Sequence, residues 1–225
     1  ERFGEHKVTS GETFEGFGDL VLPFKDPDGL SLALLVPQNE DRRKPWETQE
    51  VKADVATRGF HSTTLTLREI DATAKILTDI FGYKLQAQEG NRYRFVTDAI
   101  HTAAVIDLLE EPNGPRGRGA AGTNHHVAFR VANETVQMEF REKILSAGLG
   151  ITAKIDRDYF FSLYFREPGG VLFEIATDNP GFTVDEPLAE LGTNLKLPSQ
   201  HEYLRQDLLK SLPTIDYTFT KIKLG

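Results

Sequence analysis

Two features of this chain place chemically capable residues where a fold could use them. A histidine pair, His125-His126, opens a β-type run, and Glu174 sits between Phe173 and Ile175 in an otherwise apolar one. Side chains alternate across a strand. Val127, Phe129 and Val131 therefore point one way, and His126 and Ala128 the other. His126 can face a cup while Val127 and Phe129 face a helix layer. His125 turns away from His126 and is not expected on the same metal. Taken alone, His126 would read as a surface histidine or a satisfied core one. A carboxylate at Glu174 is costly to desolvate unless it is paired or metal-bound; the plain alternative is an exposed glutamate on the wet face of a sheet. The chain has no cysteine. That excludes disulfides, zinc-thiolate sites and thiol nucleophiles, so any metal must use His, Asp or Glu.

Composition narrows the partners. The net charge of −8 argues against nucleic acid, whose phosphates demand a basic surface. No stretch approaches the roughly 18 apolar residues that a membrane span needs. The opening residues Glu1 to Lys7 lack the apolar core of a signal peptide. A cytoplasmic location fits. With 39% hydrophobic and 27% charged residues, the chain can bury a core and stay soluble.

The elements that must position the candidates come from an internal repeat. Phe165-Arg166-Glu167-Pro168-Gly169-Gly170-Val171-Leu172-Phe173-Glu174-Ile175 parallels Phe24-Lys25-Asp26-Pro27-Asp28-Gly29-Leu30-Ser31-Leu32-Ala33-Leu34. Both read aromatic, base, acid, Pro, turn, Gly, strand, the pattern of a hairpin turn. Gly59 to Leu67 likewise parallels Thr123 to Val131. After the first of these, Ile70, Ala74, Leu77 and Phe81 recur at helical spacing and Gly82 stops the run. After the second, Val136, Phe140 and Ile144 do the same, with Gly148 as the stop. Strands are then predicted at Tyr93–Val96 and Ala103–Leu109, and at Phe160–Phe165 and Val171–Ala176.

The unit is β-α-β-β-β, giving an α+β fold of repeated modules with curved mixed sheets around a metal cup. Copies are expected at 57–111 and 122–178. Residues 1–37 read as the back half of an earlier module, 38–56 as a polar linker, and 179–225 as a tail with one helical piece near 199–211. On this reading the chain begins inside a module.

The repeat also weighs the remaining candidates. Aligning Leu65 with Phe129 sets His61 opposite His125 and Ser62 opposite His126. The ligand slot of the 57–111 module thus holds a serine that faces the cup, and His61 is expected to point away. Asp107 takes the Glu174 place in that module; with Ser62 in the other slot it makes no metal set, so it reads as a hydrogen-bonded structural acid. Ala33 takes the same place in the earlier copy, so packing alone does not require an acid there. His6, His101 and His201 have no supporting pattern and are expected to be exposed.

The β-α-β-β-β repeat, the His-His pair opening a strand and the glutamate after Pro-Gly-Gly together resemble the vicinal-oxygen-chelate (glyoxalase/bleomycin-resistance/dioxygenase) superfamily. The nearer resemblance is to its hydroquinone-type ring-cleaving dioxygenases. It rests on Gly122-Thr123-Asn124-His125-His126-Val127-Ala128-Phe129, on Tyr164 through Thr177, and on Pro180-Gly181-Phe182-Thr183-Val184-Asp185-Glu186. The resemblance implies Fe(II), with Mn, Zn or Ni as alternatives, bound by two His and one carboxylate with open positions for substrate and O₂. His126 and Glu174 fall on ligand positions. The remaining His of the set would come from the opening strand of a first module, upstream of Glu1. His125 and Tyr164 match positions implied in proton handling, and Arg157 one implied in receiving substrate charge. The implied partners are a small aromatic substrate of hydroquinone or catechol type and O₂, in a homo-oligomer. Two rival readings are another metal activity of the same fold, such as glyoxalase-type isomerisation or thiol transfer, and a binding module without catalysis.

Overall fold

The computed structural model describes residues 2–214. The chain divides into two units, Glu1–Val127 with Arg166–Leu172, and Ala128–Phe165 with Phe173–Gly225. The first opens with a short helix α1 (Arg2–Glu5) and a three-stranded antiparallel sheet, β1 (Phe14–Gly16), β2 (Asp19–Lys25) and β3 (Ser31–Val36). The β2–β3 turn is fixed by Asp26, whose Oδ1 accepts the backbone N–H groups of Asp28 at 2.9 Å and Leu30 at 2.8 Å. An acid that bonds its own following backbone in this way is a standard turn maker. Residues 38–56 carry neither helix nor strand.

The same unit continues with β4 (Ser62–Leu67), α2 (Asp71–Lys75), β5 (Lys84–Glu89), β6 (Arg92–Val96) and β7 (Val105–Glu110). The sheet order is β4-β7-β6-β5; β4 runs parallel to β7, and β6 antiparallel to both β7 and β5. This is the β-α-β-β-β order that the repeat predicts. Leu65, Leu67, Ile70, Leu77, Phe95, Ile106 and Leu108 form its core.

Two details depart from the sequence reading. The helix widens into a π turn over Ile76–Ile80, with Phe81 N bonded back to Ile76 O at 3.2 Å. The wider turn brings Ile76 and Ile80 into the core and leaves Phe81 half-buried. Strand β7 begins at Val105 rather than at Ala103 because Ala103 takes a left-handed φ of 52°, which an extended strand does not admit.

The second unit holds β8 (Val127–Val131), α3 (Glu134–Ser146), β9 (Ile155–Asp156), β10 (Phe161–Arg166) and β11 (Leu172–Thr177), in the sheet order β8-β11-β10-β9. Asn133 caps α3, its side chain accepting from Val136 N at 3.1 Å. Gly148 ends that run at φ 78°, as Gly82 ends the first at φ 72°. Phe129, Val131, Ile144, Leu163, Phe165, Phe173 and Ile175 are buried. Phe173 meets Phe129 and Phe165 edge-on, at ring-centroid distances of 4.9 and 5.6 Å.

The predicted apolar face of α3 is only partly right. Ile144 is fully buried, but Val136 and Phe140 are half-buried, and the other fully buried residue is Gln137. Its amide nitrogen donates to the carbonyls of Phe161 and Ile175, each at 2.7 Å. These bonds satisfy both donors of the amide, while its Oε1 is buried without a hydrogen-bond partner among the described residues. The helical piece of the tail is 3₁₀ over Ser199–Leu204 and becomes α-helix α4 only over Arg205–Ser211.

Candidate metal centre

Strand β11 is apolar on both sides of Glu174: Phe173 and Ile175 are fully buried, and Glu174 itself is 3% exposed. A buried carboxylate needs donors, and the neighbouring strand β10 supplies two. Ser162 Oγ donates to Glu174 Oε1 at 2.5 Å, and Tyr164 Oη donates to the same oxygen at 2.8 Å. The sequence Phe161-Ser162-Leu163-Tyr164-Phe165 explains both. Alternation sends Leu163 and Phe165 into the core and sets Ser162 and Tyr164 on the acid's face. Arg157 is exposed and stands with its guanidinium carbon 5.7 Å from the centre of the Tyr164 ring.

His125 and His126 precede β8. Their Nδ1 atoms lie 2.9 Å apart and their rings meet edge-on at 5.2 Å. His125 is exposed and His126 half-buried. Along β8 Phe129 and Val131 are buried while Ala128 and Arg130 are exposed, as predicted, but the two histidines lie ahead of the strand and meet each other, so His125 does not turn away from His126 as alternation implied. The structure thus brings Tyr164 to Glu174, sets Arg157 beside Tyr164, and pairs His125 with His126. The two histidines fall in the first unit and Glu174 in the second. Among the described residues, no three His, Asp or Glu side chains gather as a metal-binding group.

The 57–111 module carries a different arrangement at the corresponding places. Asp107, 2% exposed, is gripped by Arg94 through Nε at 2.9 Å and Nη2 at 3.1 Å. Arg92 Nη1 stands 3.8 Å from the same carboxylate. The remaining Arg94 nitrogen donates to Asp19 Oδ2 at 2.5 Å, and the guanidinium lies 4.4 Å from the Phe17 ring centre. Burial pulls the Arg94 pKa down, but the hydrogen bonds it donates to Asp107 and Asp19 outweigh this and hold the guanidinium above its ordinary value. Here an internal cation neutralises the acid. Asp107 is the hydrogen-bonded structural acid that the repeat predicts.

Ser62 and Asp107 line one cavity of about 230 Å³. His61 lines a separate, larger one of about 610 Å³ with Asp19, Arg43 and Arg94. Desolvation holds the His61 pKa below its ordinary 6.5, and its Nδ1 is buried without a hydrogen-bond partner among the described residues. His6, His101 and His201 are exposed.

Residues 59–175 match the family model described as the Glyoxalase/Bleomycin resistance protein/Dioxygenase superfamily. The chain belongs to this superfamily. Within it, the chain is 42% identical over 200 residues to MhqO of Bacillus subtilis (strain 168), provisionally named a ring-cleaving dioxygenase; the match covers 88% of this chain and 62% of the relative. It is 34% identical over 218 residues to the chlorohydroquinone/hydroquinone 1,2-dioxygenase of Sphingobium indicum, covering 94% and 67%. A crystal structure from Bacillus subtilis subsp. subtilis str. 168, provisionally titled a dioxygenase, superposes with a TM-score of 0.86 at 37% identity, over 96% of this chain and 68% of that one. The chain therefore spans somewhat under two thirds of the length of MhqO.

The donors in this superfamily member suit a divalent metal. Glu174, a buried carboxylate that accepts from the Ser162 and Tyr164 hydroxyls, is an oxygen donor, and the half-buried His126 a nitrogen donor, of the kinds that divalent metals take. Two residues that engage the buried acids escaped the sequence reading. Arg94 could have been suspected as a charge amid Tyr93, Phe95 and Val96 with an acid on a later strand. Ser162 gave no signal, because a serine within an apolar strand is common and its partner is set only by strand pairing.

Proposed function

We propose that this chain supplies His126 and Glu174 as metal ligands in an Fe(II)-dependent, extradiol-type ring-cleaving dioxygenase that acts on hydroquinone- or catechol-like aromatics with O₂. The supporting observation is Glu174, an acid buried in β11 and oriented by two hydroxyl donors rather than by a lysine or arginine of its own strand pair. The family membership and the names of the relatives favour the same reading. When bound, iron would supply a Lewis-acidic docking point for the ring oxygens and for O₂.

The chain's own residues do the rest. Glu174 contributes one negative charge to the ligand set. Tyr164 commits its proton to Glu174 Oε1, so its part is to hold the carboxylate. Proton exchange with the substrate hydroxyl falls to His125, which is exposed and bonded through Nδ1 to His126. Arg157, also exposed and stacked towards Tyr164, offers positive charge to a phenolate.

The test is anaerobic loading of the full chain, extended upstream where the gene encodes more, with Fe(II), followed by hydroquinone or catechol and oxygen. Oxygen uptake with a ring-opened product is expected, and Glu174→Gln and His126→Ala should each lower it by at least about 100-fold, since losing a group that merely orients a metal ligand costs about 10–100-fold. Wild-type turnover without added metal, or in either variant, would overturn the assignment. Preference for zinc or nickel with no oxygen uptake would favour an isomerase or transferase instead.

A further inference from the structure

The turn that carries Arg157 is strained. Strands β9 and β10 pair as far as Asp156 and Phe161, so residues 157–160 are the whole connection between them. Within it Asp158 takes a left-handed φ of 63°, and Tyr159 N donates to Arg157 O, two residues back, at 2.7 Å. A three-residue turn of this hand is rare. Such strain persists only where the surroundings over-determine it. Part of the support is local: Asp158 N donates to Asp156 Oδ1 at 2.8 Å, and Arg157 N to Phe160 O at 2.9 Å.

The rest comes from the tail. Gly181 N donates to Tyr159 O at 2.9 Å. The Tyr159 ring stacks on Phe182, with centroids 5.3 Å apart and planes at 23°, and Phe160 meets the same Phe182 ring at 6.3 Å. Tyr159 Oη donates to Asp185 Oδ2 at 3.1 Å, and Lys196 Nζ to Asp185 O at 3.1 Å. Core packing does not account for Phe182, which is 60% exposed; its ring contacts are with the turn. Among the described residues no ion pair joins the Arg157 guanidinium to a carboxylate, so its charge is available to a ligand.

From this geometry we infer that Phe182 is a positioning residue for Arg157: with Tyr159 it clamps the strained turn to the tail and keeps the guanidinium in one place for an incoming phenolate. The inference rests on Arg157 receiving substrate charge, as proposed above. Phe182 acts only through Arg157. Releasing the clamp lets the turn take other conformations, and binding weakens by the share of competent turn that is lost.

The experiment loads the full chain, extended upstream where the gene encodes more, with Mn(II) and titrates it anaerobically with hydroquinone by calorimetry. Phe182→Ala is expected to weaken hydroquinone binding by about 3–10-fold, the factor by which losing one aromatic pair shifts an equilibrium. Phe182→Tyr keeps the ring and should bind as wild type. The deciding variant combines Phe182→Ala with Arg157→Gln. If Phe182 works through Arg157, the double variant binds no more weakly than Arg157→Gln alone. Wild-type binding by Phe182→Ala, or the same loss on top of Arg157→Gln, overturns the inference, since a general structural role would add to the arginine's effect. If alanine prevents folding, Phe182→Leu, apolar but without the ring, is read in its place with the same expectations. Wild-type binding by Arg157→Gln defeats the reading of Arg157 beneath the inference, and the inference with it.

Discussion

Replacing Arg94 by methionine would expose how much the 57–111 module depends on its internal cation. Arg94 is 6% exposed, Asp107 2% and Asp19 4%. Methionine fills much of the arginine's volume but leaves two buried carboxylates without their cation. Asp19 keeps one donor, the backbone N–H of Gln38 at 2.9 Å. Among the described residues, Asp107 keeps only the long approach of Arg92 at 3.8 Å. Removing one partner of a buried ion pair costs about 3–5 kcal/mol. At about 2–4 °C per kcal/mol for a chain of this size, the melting temperature should fall by roughly 6–20 °C. Arg94→Lys should recover only part of the loss, since an ammonium cannot offer the planar fork that reaches both acids. Removing the acid as well, in Arg94→Met with Asp107→Leu, should also recover part, because a buried pair replaced by apolar groups is often near neutral. Thermal and urea unfolding followed by circular dichroism would measure all three. A loss under about 1 kcal/mol for Arg94→Met would show that water reaches the acids and that the cation is not what holds this module.

His61 offers a pH test. Desolvation holds its folded pKa below 6.5, so the unfolded chain binds the proton more readily. Its share of stability is complete above pH 6.5 and is lost as pH falls through the lowered folded value. His61→Gln should flatten the dependence of melting temperature on pH below 6.5, and an unchanged slope would refute the assignment. Gly169→Ala should destabilise by about 1–3 kcal/mol through overpacking. A Cβ there would stand 2.6 Å from Leu67 Cδ2 and 2.9 Å from both Glu167 Oε1 and Thr73 Oγ1; a melt identical to wild type would mean that the turn yields more easily than its packing implies.

Much of this fold is legible from residue order because its signals are local. Helix starts, glycine stops and the alternation in β8 and β10 are properties of a few neighbouring residues, and the Pro-Gly turns fix where strands reverse. The reading of Asp107 as a structural acid comes from comparing the chain with itself. What escaped depends on which strand lies beside which. Ser162 gains meaning only when β10 is laid against β11. Arg94 joins Asp107 only when β6 and β7 pair, and it reaches Asp19 from a sheet some 75 positions earlier in the chain. The π turn at Ile76–Ile80 was hidden for another reason. It shifts the helix face by a single position, and an apolar run such as Ile76-Leu77 satisfies either periodicity.

Gln137 gives the 122–178 module a back as well as a front. Its amide nitrogen grips the carbonyls of Phe161 and Ile175, the immediate chain neighbours of Ser162 and Glu174. The helix therefore sets the gauge between the two strands from behind, as a tie bar sets the distance between rails. Whatever loosens that tie would be read on the opposite side as a carboxylate out of true with its donors. Variants of the helix, chosen without regard to chemistry, then become a means of adjusting the chemistry by fractions of an ångström.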